Sequence, residues 1–276
     1  MERGDESNLD LKPPDVFGQV NNYFLLVFAF VCLMSSVYIQ ALFMYMGKLQ
    51  IGITFSSVFG IILPIYLFTR RIPVQFTRQL RIRPPRAEPA FQIILATVMI
   101  VVLVDVIFIF TQQLFPTPPD YIEGLMELKP SGSYQYVVTF VGLCLAVPIA
   151  EELVFRGIFQ RVFSRNMSGV LAYMLAGVLF GVVHMDTHLL VSISVFGIFL
   201  GFVFHSTGNL TYPILAHAIF NSISFVQLTT TPDDRLEEPP FYIQDTRILV
   251  AALVMLVFLL IKIKKGGSHS EPPINP

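Results

Sequence analysis

Y-V-V-T-F-V-G-L-C-L-A-V-P-I-A-E-E-L-V-F-R-G-I-F, residues Tyr136 to Phe159, decides the fold. An α-helix needs about 20 apolar residues to cross the hydrocarbon core of a bilayer, and this run is long enough to do so. Backbone groups left unpaired in lipid are costly, so a spanning segment is a helix or a strand of a closed barrel, and the run shows none of the two-residue alternation of a barrel strand. Similar runs recur at Tyr23–Tyr45, Ile51–Phe68, Phe91–Phe110, Val170–His184, Leu189–Phe204, Tyr212–Val226 and Ile248–Ile263. The expected fold is therefore all-α, a polytopic transmembrane helix bundle of about eight spans.

Composition agrees with a bilayer solvent. Hydrophobic residues make up 54% of the chain and charged ones 13%, with a mean hydropathy of +0.67; in soluble domains about a quarter of the residues are charged. A formal net charge of −1 leaves no basic footprint for nucleic acid. Cys32 and Cys144 both lie in apolar runs and read as small buried hydrophobes. The expected organisation is a polar N-terminal tail (1–22), N-terminal helices and loops (23–133), a helical core (134–226), and an acidic loop with the last span and tail (227–276). The first apolar run is too long for a signal-peptide core and reads as an uncleaved span.

Arginines orient the bundle. Arg70, Arg71, Arg78, Arg81, Arg83 and Arg86 precede any acid before Glu88, whereas 112–133 and 227–246 are acidic overall. The positive-inside rule sets the arginine loop in the cytoplasm. Counting spans from there puts Arg161, Arg165 and the Lys262, Lys264, Lys265 tail on the same side, and the Asp233–Glu238 loop on the other. Pro73, Pro84 and Pro85 mark the arginine segment as a solvated or headgroup-touching loop; Pro116–Pro119 and Pro272–Pro276 read as turn and tail.

Within Tyr136–Phe159 stands A-E-E-L-V-F-R-G, residues Ala150 to Gly157. Each charge at lipid depth costs about 2.5 to 3.5 kcal/mol if unpaired, so the cluster is a functional hypothesis by default. Residues four apart share a helix face, which pairs Glu152 with Arg156 and turns Glu151 about 100° away, towards Val154 and Phe155. Glu152 and Arg156 then read as orienting residues and Glu151 as the carboxylate free to act. F-G-V-V-H ends an apolar run at His184, and His217 and Asn221 are four apart in another. Two neutral donors on one face suit an oxyanion. Glu151 and His184 each lie roughly 20 to 25 Å from the turn near Ser164–Gly169, so an antiparallel hairpin brings them to similar depth.

Three motifs, E-E-x-x-x-R at Glu151, Glu152 and Arg156, F-x-x-x-H at Phe180 and His184, and H-x-x-x-N at His217 and Asn221, resemble those of the CPBP glutamic intramembrane proteases, a family that includes type II CAAX prenyl endopeptidases and bacteriocin-processing Abi proteins. They occur in the family's order and cover about a quarter of the chain. The resemblance implies peptide-bond hydrolysis in the membrane. Glu151 and His184 would activate a water, His217 and Asn221 would stabilise the oxyanion, and Glu152 and Arg156 would orient the first pair. It implies as partners the lipid bilayer and a membrane-associated protein or peptide, and as location a multi-pass position in the plasma membrane of a prokaryote. No cofactor is expected.

Three other readings stand beside it. A zinc site would use His184 and His188, four apart, but Asp186 stands between them rather than the glutamate of a zinc-protease helix, and His188 falls in a loop. A non-catalytic scaffold or regulator would use the polar cluster to hold helices together. A transporter would use it as a proton or substrate path, although the polar residues occupy one half of the chain and no inverted repeat is visible. His205, at a span boundary, and Asp105, in the third span, have structural readings. Gly177–Gly181 and Gly197–Gly201 are small-xxx-small contacts for close helix approach.

Overall fold

The computed structural model describes residues 20–70, 80–236 and 245–267. The polar N-terminal tail before Val20, Arg71, Pro73, Arg78, Glu237, Glu238 and the C-terminal prolines lie outside the described residues. The fold is all-helical, with no strand among the described residues. Its helices are α1 Asn22–Tyr45, α2 Leu49–Arg70, α3 Ala87–Leu114, α4 Pro119–Leu128, α5 Ser133–Phe163, α6 Gly169–Val182, α7 Leu190–Thr207, α8 Thr211–Thr230 and α9 Thr246–Gly267.

All eight apolar runs are helical, but the expected eight spans become six by length and apolarity among the described residues: α1, α2, α3, α5, α7 and α9. The fifth run yields the 14-residue α6, which at 1.5 Å per residue is only about 21 Å long. The seventh yields α8, 20 residues long, whose His217, Asn221, Gln227 and hydroxyl side chains lower its hydropathy. A ninth helix, α4, occupies what reads in the sequence as a turn and acidic loop. Pro119 opens it, because a proline in the first turn forfeits no helical hydrogen bond.

Local chemistry sets the ends. Asn21 Oδ1 accepts from Tyr23 N at 2.8 Å to start α1, and Ser168 Oγ accepts from Leu171 N at 3.3 Å to start α6. α7 stops at Gly208, whose φ of +61° is left-handed, a conformation that glycine adopts without a Cβ clash.

α5 runs through the middle, packed on α1, α2, α6, α7 and α8, while α3 joins α7, α8 and α9 on the far side. The outward faces are apolar: Phe24, Val27 and Phe30 on α1, and Val250, Leu253 and Val254 on α9, are all exposed, as a lipid-facing surface requires. α6 and α7 approach closely at Gly177 and Gly197. A Cβ at Gly177 would lie 2.4 Å from Ile198 N, and one at Gly197 would lie 2.7 Å from Gly177 O, so both small-xxx-small contacts are real backbone approaches.

The connections gather at two ends, as alternate crossing requires. At one end Leu210 N donates to Arg81 O at 3.0 Å, Asn209 exchanges hydrogen bonds with the Arg83 backbone at 3.2 Å each, and Tyr212 Oη accepts from Arg86 N at 2.9 Å. The described part of the arginine loop is thus pinned to the start of α8 rather than freely solvated. Arg165 reaches Val20 O and Asn22 at the same end. At the other end Gln50 Nε2 donates to Glu127 O at 2.7 Å, Lys129 Nζ to Thr231 O at 2.7 Å, and His188 Nδ1 to Phe115 O at 2.7 Å.

Candidate active site

The site is built on α5, which is not a uniform helix. Val141–Ala146 and Phe155–Gln160 are π-helical, with Val147–Val154, the segment holding both glutamates, in α conformation between them. Such wide turns concentrate at functional sites. The first has a local cause. In the wide register the Val147 N–H bonds to Gly142 O; the next rung would join residue 148 to Leu143 O, but Pro148 has no N–H to give. Asn221 Nδ2 donates to that orphaned carbonyl at 2.8 Å.

Glu152 and Arg156 are both fully buried and paired along the helix, Arg156 Nη1 donating to Glu152 Oε1 at 2.7 Å. Arg156 Nη2 donates to Gly197 O at 2.7 Å, and one turn on, Gln160 Nε2 donates to Gly201 O at 2.9 Å. Two side chains four apart on α5 thus hydrogen-bond two carbonyls four apart on α7, beside the glycines that admit them. The guanidinium also lies 5.0 Å from the centroid of the Phe180 ring, a favourable cation–π placement.

His217 is 3% exposed and lies between the two glutamates. Its Nδ1 is 3.0 Å from Glu152 Oε1 and its Nε2 3.7 Å from Glu151 Oε2. With Glu152 as a carboxylate that oxygen accepts, so Nδ1 carries the proton and Nε2 faces Glu151. The rings of Phe180 and Phe196 stand edge-on to the imidazole, 5.7 and 5.4 Å away. His184 follows the end of α6, where the chain turns through a left-handed Met185 (φ +52°). Its Nδ1 is 2.7 Å from Phe180 O; a carbonyl accepts only, so Nε2 is again the unprotonated nitrogen of the neutral ring.

Glu151, His184, His217 and Asn221 line one cavity of about 360 Å³, together with Leu143, Val147, Phe180, Phe196 and Phe220 among others. The structure therefore brings the four sequence-derived site residues to one place and sets Glu152 and Arg156 behind them. Two expectations change. The imidazole beside Glu151 is that of His217, not His184, because α6 ends before His184 and its ring folds back on its own helix. His217 and Asn221 are also not two free donors, since Nδ1 of one serves Glu152 and an amide N–H of the other serves Leu143 O. Sequence reading missed Gln160 and Phe196; a glutamine four residues past an intramembrane arginine is the signal that points to the first.

His188 turns away to Phe115 O, and Asp186 Oδ1 accepts from His188 N at 2.8 Å and from Leu189 N at 3.3 Å ahead of α7. No group of three or more His, Cys, Asp or Glu is arranged to hold a metal ion among the described residues. His205 packs against Tyr173 and under Gly169, away from the cavity.

Fold and site define a polytopic helical membrane protein with paired carboxylates and imidazoles around an internal cavity. Residues 133–223 match the family model described as Rce1-like, type II CAAX prenyl endopeptidase. That bears out the recognition carried by the three motifs: the match supports the CAAX/CPBP protease family and, at the same grain, a membrane hydrolase of the CAAX-protease type. No curated protein and no solved structure matches the chain.

Proposed function

We propose that this protein is a glutamic-type intramembrane endopeptidase that hydrolyses a peptide bond of a membrane-associated protein or peptide. The observation that carries the reading is the convergence of Glu151, His184, His217 and Asn221 on one cavity. Glu151 and the Nε2 of His184 are both acceptors, so a water donating one hydrogen to each turns an oxygen lone pair towards a bound carbonyl. As that oxygen bonds to the carbonyl carbon, Glu151 takes a proton from the water. The oxyanion is met by the second N–H of Asn221 and, when the ring is protonated, by His217 Nε2–H. Collapse breaks the C–N bond, and the proton on Glu151 passes to the departing nitrogen. Glu152 holds His217, and Arg156 holds Glu152. No step calls on a metal or cofactor. The location expected from the sequence, the plasma membrane of a prokaryote, belongs to the same reading.

The test uses purified full-length protein in lipid and a library of internally quenched peptides. Glu151→Gln is expected to abolish cleavage, leaving yield and thermal unfolding unchanged. Cleavage that survives the change removes Glu151 as the base, and absence of cleavage by the parent chain on every peptide removes the hydrolytic role.

A further inference from the structure

We infer that the cavity is entered from the membrane face opposite the arginine loops, past α4, and that its substrate is an apolar peptide segment presented on that extracytoplasmic face rather than a cytosolic tail. The inference rests on the hydrolytic reading for the word substrate; the end at which the cavity opens stands on geometry, and the membrane face of that end on charge.

Four observations carry the direction. Four of the cavity's lining residues, Gln40, Leu49, Gly124 and Leu128, come from α1, α2 and α4 at the end where Gln50 bonds to Glu127 O. None of the cavity's lining residues comes from the 80–86 loop, the 164–168 turn or the start of α8. Exposure rises across the site residues: His217 is buried, the Glu151 side chain is 23% exposed, and His184 is exposed. Finally, α6 spans only about 21 Å of a hydrocarbon core about 30 Å thick. Starting at the arginine end, it stops short of the far surface and leaves a recess there with His184 on its wall.

Charge fixes which face this is. Among the described loop and helix-end residues, Arg70, Arg81, Arg83, Arg86, Arg161, Arg165, Lys262, Lys264 and Lys265 lie at one end with the acid Glu88, whereas the other end holds Glu123, Glu127, Asp186, Asp233, Asp234 and Asp245 against Lys48, Lys129, Arg235 and Arg247. Cytoplasmic loops carry the arginine excess, so the recess opens outward. Its walls, with Leu143, Val147, Ile193, Phe196 and Phe220, suit apolar side chains on either side of the bond brought to Glu151, and a charged residue there would lose its water without a partner.

The experiment places single cysteines at Leu128 in the cavity lining, Thr187 at the same end and Asn166 at the arginine end of the full chain, with the parent's buried Cys32 and Cys144 as background. Vesicles of either orientation are treated with a membrane-impermeant maleimide, and quenched apolar peptides are then supplied to one face at a time. Expected is labelling of Leu128→Cys and Thr187→Cys at least tenfold faster from the face opposite to Asn166→Cys. Cleavage is expected from that same face only, lost in Leu128→Cys once labelled but not in labelled Asn166→Cys. Labelling of positions 128 and 166 from one face, or cleavage from the Asn166 face, overturns the inference. Labelling as expected with cleavage from neither face confirms the direction of access and overturns the hydrolytic reading instead.

Discussion

Glu151 and Glu152 are neighbours in sequence, yet the two faces of α5 that they occupy use their polar atoms in opposite ways. The face towards α7 is sealed: Glu152, Arg156 and Gln160 are buried, and their hydrogen bonds run to the helix itself, to His217 and to two α7 carbonyls. The face towards the cavity is left open, with Glu151 beside His217 and reachable from outside. A buried charge pair contributes little net stability, but removing one partner alone strands the other at large cost. The sealed face is thus a frame that tolerates no single deletion, and the open face can lose a group without collapse.

The largest expected effects break this contrast most directly. Glu151→Gln or His184→Ala is expected to slow peptide hydrolysis roughly 10²- to 10⁴-fold, the usual worth of a positioned acid or base, with the unfolding transition in place. Arg156→Leu is expected to destabilise by about 3 to 5 kcal/mol, because the Glu152 carboxylate is then buried without its countercharge. Monodisperse yield and thermal unfolding in detergent read this, and an Arg156→Leu protein as stable as the parent shows that the frame is not a frame.

Next in size is the α6–α7 seam. Gly177→Val is expected to destabilise by about 1 to 3 kcal/mol, since the added atoms meet Ile198 backbone that cannot step aside. Smaller and more telling is a double-mutant cycle. Asn221→Ala leaves Leu143 O unpaired and is expected to cost about 1 to 3 kcal/mol. In a Pro148→Ala background the restored N–H takes that carbonyl, and the cost of Asn221→Ala should shrink; equal costs in both backgrounds separate Asn221 from Pro148. Smallest is Lys129→Ala, at the end of the bundle away from the arginine loop. Its partner Asp233 has a side chain 67% exposed, so a loss of about 0.2 to 1 kcal/mol is expected.

Much of the frame was legible in the sequence because it follows from helical spacing. Glu152 and Arg156 are four apart, and the four-residue glycine pairs mark where α6 and α7 meet. The positions of all eight apolar runs were legible for the same reason. The partner of Glu151 was not, because it depends on where α6 stops: F-G-V-V-H reads as one continuous run, and the turn through Met185 cannot be seen in it. Nor was α4 visible, since three prolines, Pro116, Pro118 and Pro119, and several acids look like loop until Pro119 is recognised as a first helical residue. The commitment of Asn221 to Leu143 O was hidden because it follows from a missing N–H at Pro148 and a wide turn together, and the turn leaves no mark in residue type. The full-length crossings were overcounted because apolarity does not report that α6 ends early, and because α8, though 20 residues long, carries polar side chains that lower its hydropathy.

The wide stretches of α5 also bear on how this helix tolerates insertion and deletion. Each carries about one residue more than the α-helical ladder needs over the same rise. A deletion inside Val141–Ala146 can be absorbed by returning that turn to ordinary pitch, leaving Val147–Val154 and both glutamates in phase with α7 and α8. The same deletion inside Val147–Val154 has no such slack to draw on and rotates Glu151 out of the cavity by about 100°. Length variation along α5 is therefore confined to two short windows on either side of the glutamates, and a helical wheel drawn straight through them assigns the wrong face to every residue beyond.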